Sequence, residues 1–232
     1  AYLSRPKWSK KYRRGRIDVT VGKLLSKEEL ALKTVEEVNE LVQKTLGHNE
    51  FRDYQDKMQI EYKGKDLAEG IEQVLYMCPK CYKEYTISSK GNEVKCSNCG
   101  SVWHLNSKGY FEEKDIVRDN HDWSLIIKEK VFEEVQKEDF EMNDEAELRI
   151  LEKGKEVIYG HGKIKLDKTG ITYEGMFRGK EQTIFFSVEE LISLPFRCSV
   201  NFEIAYNTDV IRFCLKDTKT ITKWSLCVEA LK

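Results

Sequence analysis

The sequence predicts an α+β multidomain chain: a strand–helix segment, a small cysteine-knuckle ribbon, a connecting helix, and an antiparallel β barrel or sandwich closed by a helix. Three observations predict it. Two C-x-x-C knuckles, Cys78–Cys81 and Cys96–Cys99, stand fourteen residues apart. Trp123, Ile126, Ile127, Val131 and Val135 recur at helical spacing. From about Phe140 onward the apolar residues alternate in short runs, and the chain closes on Trp224, Cys227, Val228 and Leu231, again on one helical face. A length of 232 residues accommodates two or three such units, with expected bounds of 1–70, 71–108, 109–138 and 139–232.

In Arg16 to Leu25, Ile17, Val19 and Val21 alternate with Asp18 and Thr20, the period of a half-buried strand that Gly22 ends. Ser26 and Glu29 form an S-x-x-E capping box. Leu30, Thr34, Val35, Val38, Leu41, Val42 and Leu46 then predict one amphipathic helix that stops at Gly47. One strand and one helix do not bury both faces alone, so this segment needs a partner. Charged residues with scattered aromatics predict a short helix and an irregular connection from Asn49 to Val74.

The ribbon is expected over about Leu75 to Leu105. Tyr85–Ile87 and Glu93–Lys95 flank Ser-Ser-Lys-Gly-Asn as hairpin strands, and Ser101–Leu105 adds a third. Asp119 or Asn120 caps the connecting helix. Beyond it, Ile164 and Leu166 pair with Ile171 and Tyr173 across Asp-Lys-Thr-Gly. Thr183–Val188, Ser199–Tyr206 and Val210–Leu215 supply further strands, the last two joined by Asn-Thr-Asp. Antiparallel strands followed by one terminal helix follow the layout of a pleckstrin-homology-like module, an analogy of order without a motif.

Four cysteines in this spacing point to a zinc ribbon with an all-cysteine site, since zinc takes four thiolates in a tetrahedron and each knuckle presents two sulfurs. Cys78, Cys81, Cys96 and Cys99 are the expected ligands of one structural zinc, and the glycine after Cys99 suits the left-handed turn of a knuckle. Four protein ligands leave no open position for water, so metal catalysis is not expected. Nearby His104 is surplus to the set. Cys198, Cys214 and Cys227 stand in apolar surroundings and are expected as small buried hydrophobes.

Charge bounds the partners. The net charge is only −1, but Arg5 to Arg16 holds seven Lys/Arg and no acid, while Glu112 to Glu147 holds fourteen acids against five bases. Arg5, Lys7, Trp8, Lys10, Lys11, Arg13, Arg14 and Arg16 are therefore the expected contacts to an anionic membrane surface or another anionic ligand, unless solvated or neutralised within the chain. The ribbon's own lysines, glutamates, thiolates and metal sum to zero charge, so it lacks the basic face of a nucleic-acid reader. No apolar run approaches the ~18 residues of a membrane-spanning helix. Paired C-x-x-C knuckles read as reduced metal chemistry, placing the expected site of action in the cytoplasm, peripheral at the inner face of the membrane.

Tyr2, Pro6 and the run Arg14-Gly15-Arg16-Ile17-Asp18-Val19-Thr20-Val21-Gly22-Lys23-Leu24-Leu25 resemble the closing segment of the 1-acyl-sn-glycerol-3-phosphate acyltransferase fold. There a basic loop leads to an R-G-x-hydrophobic strand and a Gly-x-x-hydrophobic turn before the last helix. Glu69 to Cys81 resembles the join between catalytic domain and ribbon in a bacterial subgroup that carries a zinc ribbon and a β-rich extension. Thr222-Lys223-Trp224-Ser225-Leu226 resembles the end of that extension.

The resemblance implies a lysophospholipid acyltransferase of phospholipid biosynthesis, of which this chain is the C-terminal, non-catalytic region; Ala1 in place of Met reads as the start of a piece. The expected partner is then the remainder of the acyltransferase domain. His48 to Asp53 matches the family's H-x-x-x-x-D but follows a helix stop rather than a core strand, and no Phe-Pro-Glu-Gly-x-Arg turn occurs, so no catalytic residue is assigned. The alternative is a zinc-ribbon module that binds a protein, lipid or nucleic-acid partner without acyl transfer.

Overall fold

In the computed structural model, which describes residues 2–19, 21–22, 24–113 and 116–232, the chain builds two antiparallel sheets, one of three strands and one of seven. The fold is α+β. The N-terminal segment departs most from expectation. Residues 15–19 and 21–22 form no strand, and Ile17, Val19 and Val21 are 49%, 82% and 92% exposed. A strand persists only where a neighbour takes up its N–H and C=O groups, and no strand of either sheet lies alongside among the described residues. Thr20 and Lys23 of the expected strand and turn lie outside the described residues.

The single helix expected after Gly22 is two. Ser26 and Glu29 form their capping box at the head of α1 (Lys27–Ala31), which stops at Leu32. Thr34, expected on the buried stripe, instead caps α2 (Val35–Leu46) in a second box with Glu37. T-x-x-E was the available signal: the Thr34 hydroxyl accepts the Glu37 N–H and the Glu37 carboxylate the Thr34 N–H, which compensates part of what a second helix start leaves open. Neither helix buries a residue. A π-helical turn (Glu50–Gln55) and α3 (Asp56–Met58) follow, and Phe51 packs with Leu3, Tyr62 and Tyr110 in a satellite cluster.

The ribbon sheet comprises β1 (Ile87–Lys90), β2 (Glu93–Cys96) and β3 (Val102–His104). Its first turn is tighter than expected because Ser88 and Ser89 continue β1, leaving Gly91, at φ +63°, and Asn92 to reverse the chain. Asp119 caps α4 (Asn120–Val135) by accepting the N–H groups of His121 and Asp122. Trp123, Ile127, Val131 and Val135 are buried as the stripe required, and Ile126 is half-buried.

The large sheet contains β4 (Glu141–Glu152), β5 (Lys155–Asp167), β6 (Gly170–Phe177), β7 (Lys180–Ser187), β8 (Phe196–Arg197), β9 (Asn201–Tyr206) and β10 (Asp209–Leu215). Their order is β7-β6-β5-β4-β10-β9-β8, so two meanders join where β10 pairs with β4. Gly162 opposes Gly175 across β5 and β6, and a Cβ on Gly162 would sit 2.3 Å from the Glu174 carbonyl. The close approach at this bend requires glycine. α5 (Ile221–Ala230) lays Trp224 on Phe202, which stacks in turn on Phe213.

The Asp-Lys-Thr-Gly turn joins β5 to β6 with Leu166 opposite Ile171 and Ile164 opposite Tyr173, the predicted register. Burial works against the Asp167 carboxylate, but the Thr169 N–H and hydroxyl and the Lys165 ammonium prevail and hold its carboxyl down at about 2. A depressed acid stabilises the fold above its unfolded pKa, and that stability is lost as pH falls through the folded value. Melting temperature is therefore expected to drop between about pH 4 and about pH 2, and Asp167→Asn to show a smaller drop. Circular-dichroism melts across this range check it; equal acid sensitivity in both proteins would remove the assignment.

One hydrophobic core runs through all these parts: Trp8, Leu67 and Ile71, the ribbon's Val94 and Trp103, the α4 stripe, the inner face of the large sheet, and α5. The Trp123 indole N–H donates to the Met77 carbonyl at 2.7 Å, and the Thr222 hydroxyl to that of Gln73 at 2.5 Å. α4 thus meets the ribbon through Trp123 and packs on α5, which in turn meets β8 and β9.

Candidate metal centre

The backbone of each knuckle turns through a left-handed residue just past its second cysteine: Tyr82 at φ +57° and Gly100 at φ +74°. Glycine signalled the second turn in the sequence. Tyr82 gave no such signal, since a side chain there costs roughly 1–2 kcal/mol. The ring of Tyr82 lies under the Lys130 ammonium, 5.2 Å from its centroid, which ties the strained knuckle to α4.

These turns bring the Sγ atoms of Cys78, Cys81, Cys96 and Cys99 within 4.8 Å of one another. Cys78 and Cys99 sulfurs are 3.7 Å apart, and those of Cys81 and Cys96 3.8 Å. A tetrahedron with metal–sulfur bonds of about 2.3 Å has edges of ~3.8 Å, whereas a disulfide needs ~2.05 Å. The four residues therefore fit one metal ion and no disulfide. Cys78 and Cys96 are buried, Cys81 is intermediate and Cys99 is exposed, so the cluster sits at the rim of the ribbon with one face to solvent.

Hydrogen bonding to Ser101, whose hydroxyl oxygen lies 3.3 Å from the sulfur, pulls the Cys99 thiol down to about 6, while burial pushes that of Cys78 up to about 12. Asn98 Nδ2 donates to Cys81 Sγ at 3.4 Å, and Thr86 Oγ1 lies 3.4 Å from Cys96 Sγ. Such outer partners orient thiolate ligands. His104 points away: its Nδ1 is 2.6 Å from Glu113 Oε1 on the surface.

The basic arm divides. Trp8 is buried, its indole N–H donating to the Leu67 carbonyl at 3.0 Å. Arg13 is buried as well: its Nη2 donates to the same carbonyl at 2.5 Å, its guanidinium lies 5.6 Å from the Trp8 ring, and burial lowers it to about 10. These two are lost to any membrane contact, because a shared carbonyl and an aromatic face hold them inside. Arg16 forms a bidentate pair with Asp18, Arg5 stacks on Tyr12, and Lys7 on Phe196. Lys10, Lys11 and Arg14 are exposed, with Lys11 3.8 Å from Asp66.

His48 Nδ1 and Asp53 Oδ2 are 3.8 Å apart, beyond hydrogen-bond reach, and Nε2 faces Glu50 at 3.8 Å. Asp53 already accepts the Asn49 N–H at 2.7 Å. Both ring nitrogens face carboxylates on a half-exposed surface, which leaves no free nitrogen directed at a substrate hydroxyl. Of the three further cysteines, Cys227 is fully buried as expected, while Cys198 and Cys214 are only partly so.

No family model, curated protein or solved structure matches this chain. Among the described residues no helix is long and apolar enough to cross a membrane.

Proposed function

We propose that this chain is the C-terminal, non-catalytic region of a 1-acyl-sn-glycerol-3-phosphate acyltransferase, in which a structural zinc and a pleckstrin-homology-like module form a docking and regulatory body. One observation carries the reading. The segment that resembles the closing strand of that fold keeps its alternation yet leaves Ile17, Val19, Val21 and Leu24 in solvent, with the apolar residues of α1 and α2 beside them in sequence. Exposed apolar residues in such density mark a surface that another body covers. The remainder of the acyltransferase domain is that body. Four thiolates at tetrahedral spacing suit zinc, and the sheet order followed by a terminal helix suits the pleckstrin-homology-like layout. The parent enzyme would transfer an acyl chain to a lysophospholipid hydroxyl at the inner membrane face, which the exposed Lys10 and Arg14 would approach.

Incubation of this chain with acyl donor and lysophosphatidate is expected to give no turnover. Co-expression with the polypeptide encoded ahead of Ala1 is expected to give a soluble complex with turnover. Turnover by this chain alone that His48→Ala abolishes would overturn the non-catalytic assignment, and an upstream polypeptide without an H-x-x-x-x-D motif would overturn the family.

A further inference from the structure

A cavity of about 1050 Å³ opens where the turn after α2, the head of α4, the loop before β8 and α5 meet. It lies at the upper end of the ~300–1,000 Å³ of small-molecule sites. Val74, Ile127, Leu194, Leu226 and Val228 give it an aliphatic floor, and the half-buried Tyr2 and Phe196 add aromatic rings to its lining. Such a lining favours a ligand with flat apolar faces, since aromatic rings pack on one another offset or edge to face.

Two further features set the polarity of that ligand. Lys7, Lys128 and Lys232 stand in the lining against Glu50, Asp53 and Glu229, so lysines and carboxylates cancel. Lys128 pairs with Glu229 at 2.7 Å, and the Lys7 ammonium lies over the Phe196 ring, 4.4 Å from its centroid. A lining in such balance gives a charged molecule no return for the water it sheds on entry. The second feature is Asn120 at the wall, 8% exposed. Its Nδ2 donates to the Tyr2 hydroxyl at 3.2 Å, while its Oδ1 is buried without a partner. An amide oxygen only accepts, so the group that completes it carries an N–H or O–H.

We propose that this cavity binds a small uncharged aromatic molecule that carries an N–H or O–H on its ring. The ring packs on the aliphatic floor against Tyr2 and Phe196, and its N–H or O–H donates to Asn120 Oδ1. The unpaired amide oxygen is a cost to the empty protein that the ligand removes. Because the walls come from the N-terminal turn, the segment after α2, α4 and α5, an occupied cavity holds these parts together and raises the melting temperature. This recognition draws on neither the metal centre, a phosphate nor an acyl chain, and it stands whether or not the acyltransferase reading does.

Titration of the full chain with indole, followed by nitrogen–proton NMR of the protein, tests it. One saturable set of shifts is expected, with the Asn120 side-chain amide among them. N-methylindole, which keeps the ring but lacks the donor, should bind about tenfold more weakly. Indoleacetate and tryptamine, which add a charge of either sign, should both bind more weakly than indole, and so should octanol, which carries the donor on a chain. Asn120→Leu should lower indole affinity about tenfold and leave that of N-methylindole unchanged, with zinc content unaltered. If Asn120→Leu misfolds, the ligand series on the wild-type protein decides alone. Absence of saturable shifts with indole overturns the proposal. Binding of N-methylindole, of either charged analogue or of octanol as tight as that of indole overturns it as well. Because the titration reads binding to this chain alone, its failure is distinct from failure to reconstitute acyl transfer.

Discussion

Chelating the metal from the Cys78–Cys81–Cys96–Cys99 centre is expected to unfold more than the ribbon. A four-thiolate zinc site contributes apparent binding free energy on the order of 10 kcal/mol, as much as a whole domain's net stability. Without it, the two knuckles lose the bonds that hold their four sulfurs within 4.8 Å, and Tyr82 keeps its left-handed strain with nothing to offset it. The loss should spread. Trp103 packs on Trp123 with ring centroids 4.8 Å apart, and Lys223 on α5 bridges Glu84 of the first knuckle to Glu134 of α4. Purified protein should carry one zinc per chain. Cys96→Ser should lose it, and chelated wild-type protein should lose its near-ultraviolet signal from the buried tryptophans in one transition. A Cys96→Ser protein that stays folded at wild-type melting temperature would dismiss the structural role.

Trp123→Ala is expected to be the most damaging substitution away from the cysteines. The side chain is fully buried, packs on both Trp103 and Phe111, and supplies the hydrogen bond to the Met77 carbonyl one residue before the first ligand. Truncating a buried tryptophan costs about 3–5 kcal/mol, and the stranded carbonyl adds about 1–3 kcal/mol. Because Met77 leads into Cys78, metal affinity should fall together with stability. Trp123→Phe should recover most of the packing but not the hydrogen bond. Denaturant unfolding combined with competitive zinc titration separates these terms. Destabilisation of Trp123→Ala with unchanged zinc affinity would show that α4 and the knuckle are not coupled.

The Lys223 bridge makes a smaller contribution to the same joint. Its ammonium is nearly buried between two glutamates; burial works against the charge and the two carboxylates outweigh it, so the group titrates above its ordinary range. Such a pair is stabilising only while both partners remain, since removing one leaves buried charge of a single sign. It serves to fix how α5 meets the ribbon.

The amino-acid sequence by itself determined those features whose cause is local. Two C-x-x-C spacings bring four sulfurs into one cluster because the chain between them is short. The Asp-Lys-Thr-Gly turn sets the β5–β6 register, and the S-x-x-E box sets the start of α1. The stripe from Trp123 to Val135 dictates a helix with one buried face. The T-x-x-E box at Thr34 was equally local and was masked by the apolar period running through it.

Features that depend on a distant partner were decided only by the tertiary structure. Ile17, Val19 and Val21 have the pattern of a strand but not its conformation, since a ladder needs a neighbour that periodicity does not supply. Trp8 and Arg13 look like surface cations and aromatics until the Leu67 carbonyl, 59 and 54 residues away, accepts both of their N–H groups. β4 carries Glu141, Asp144, Glu145, Glu147 and Glu152, while Ala146, Leu148 and Ile150 alone are buried along it, too few to announce a strand of twelve residues. The pairing of β4 with β5 over the bulge at Leu148/Arg149, and the return of β10 onto β4, are settled by burial against α5 and the opposing strands, which no local run of residues encodes.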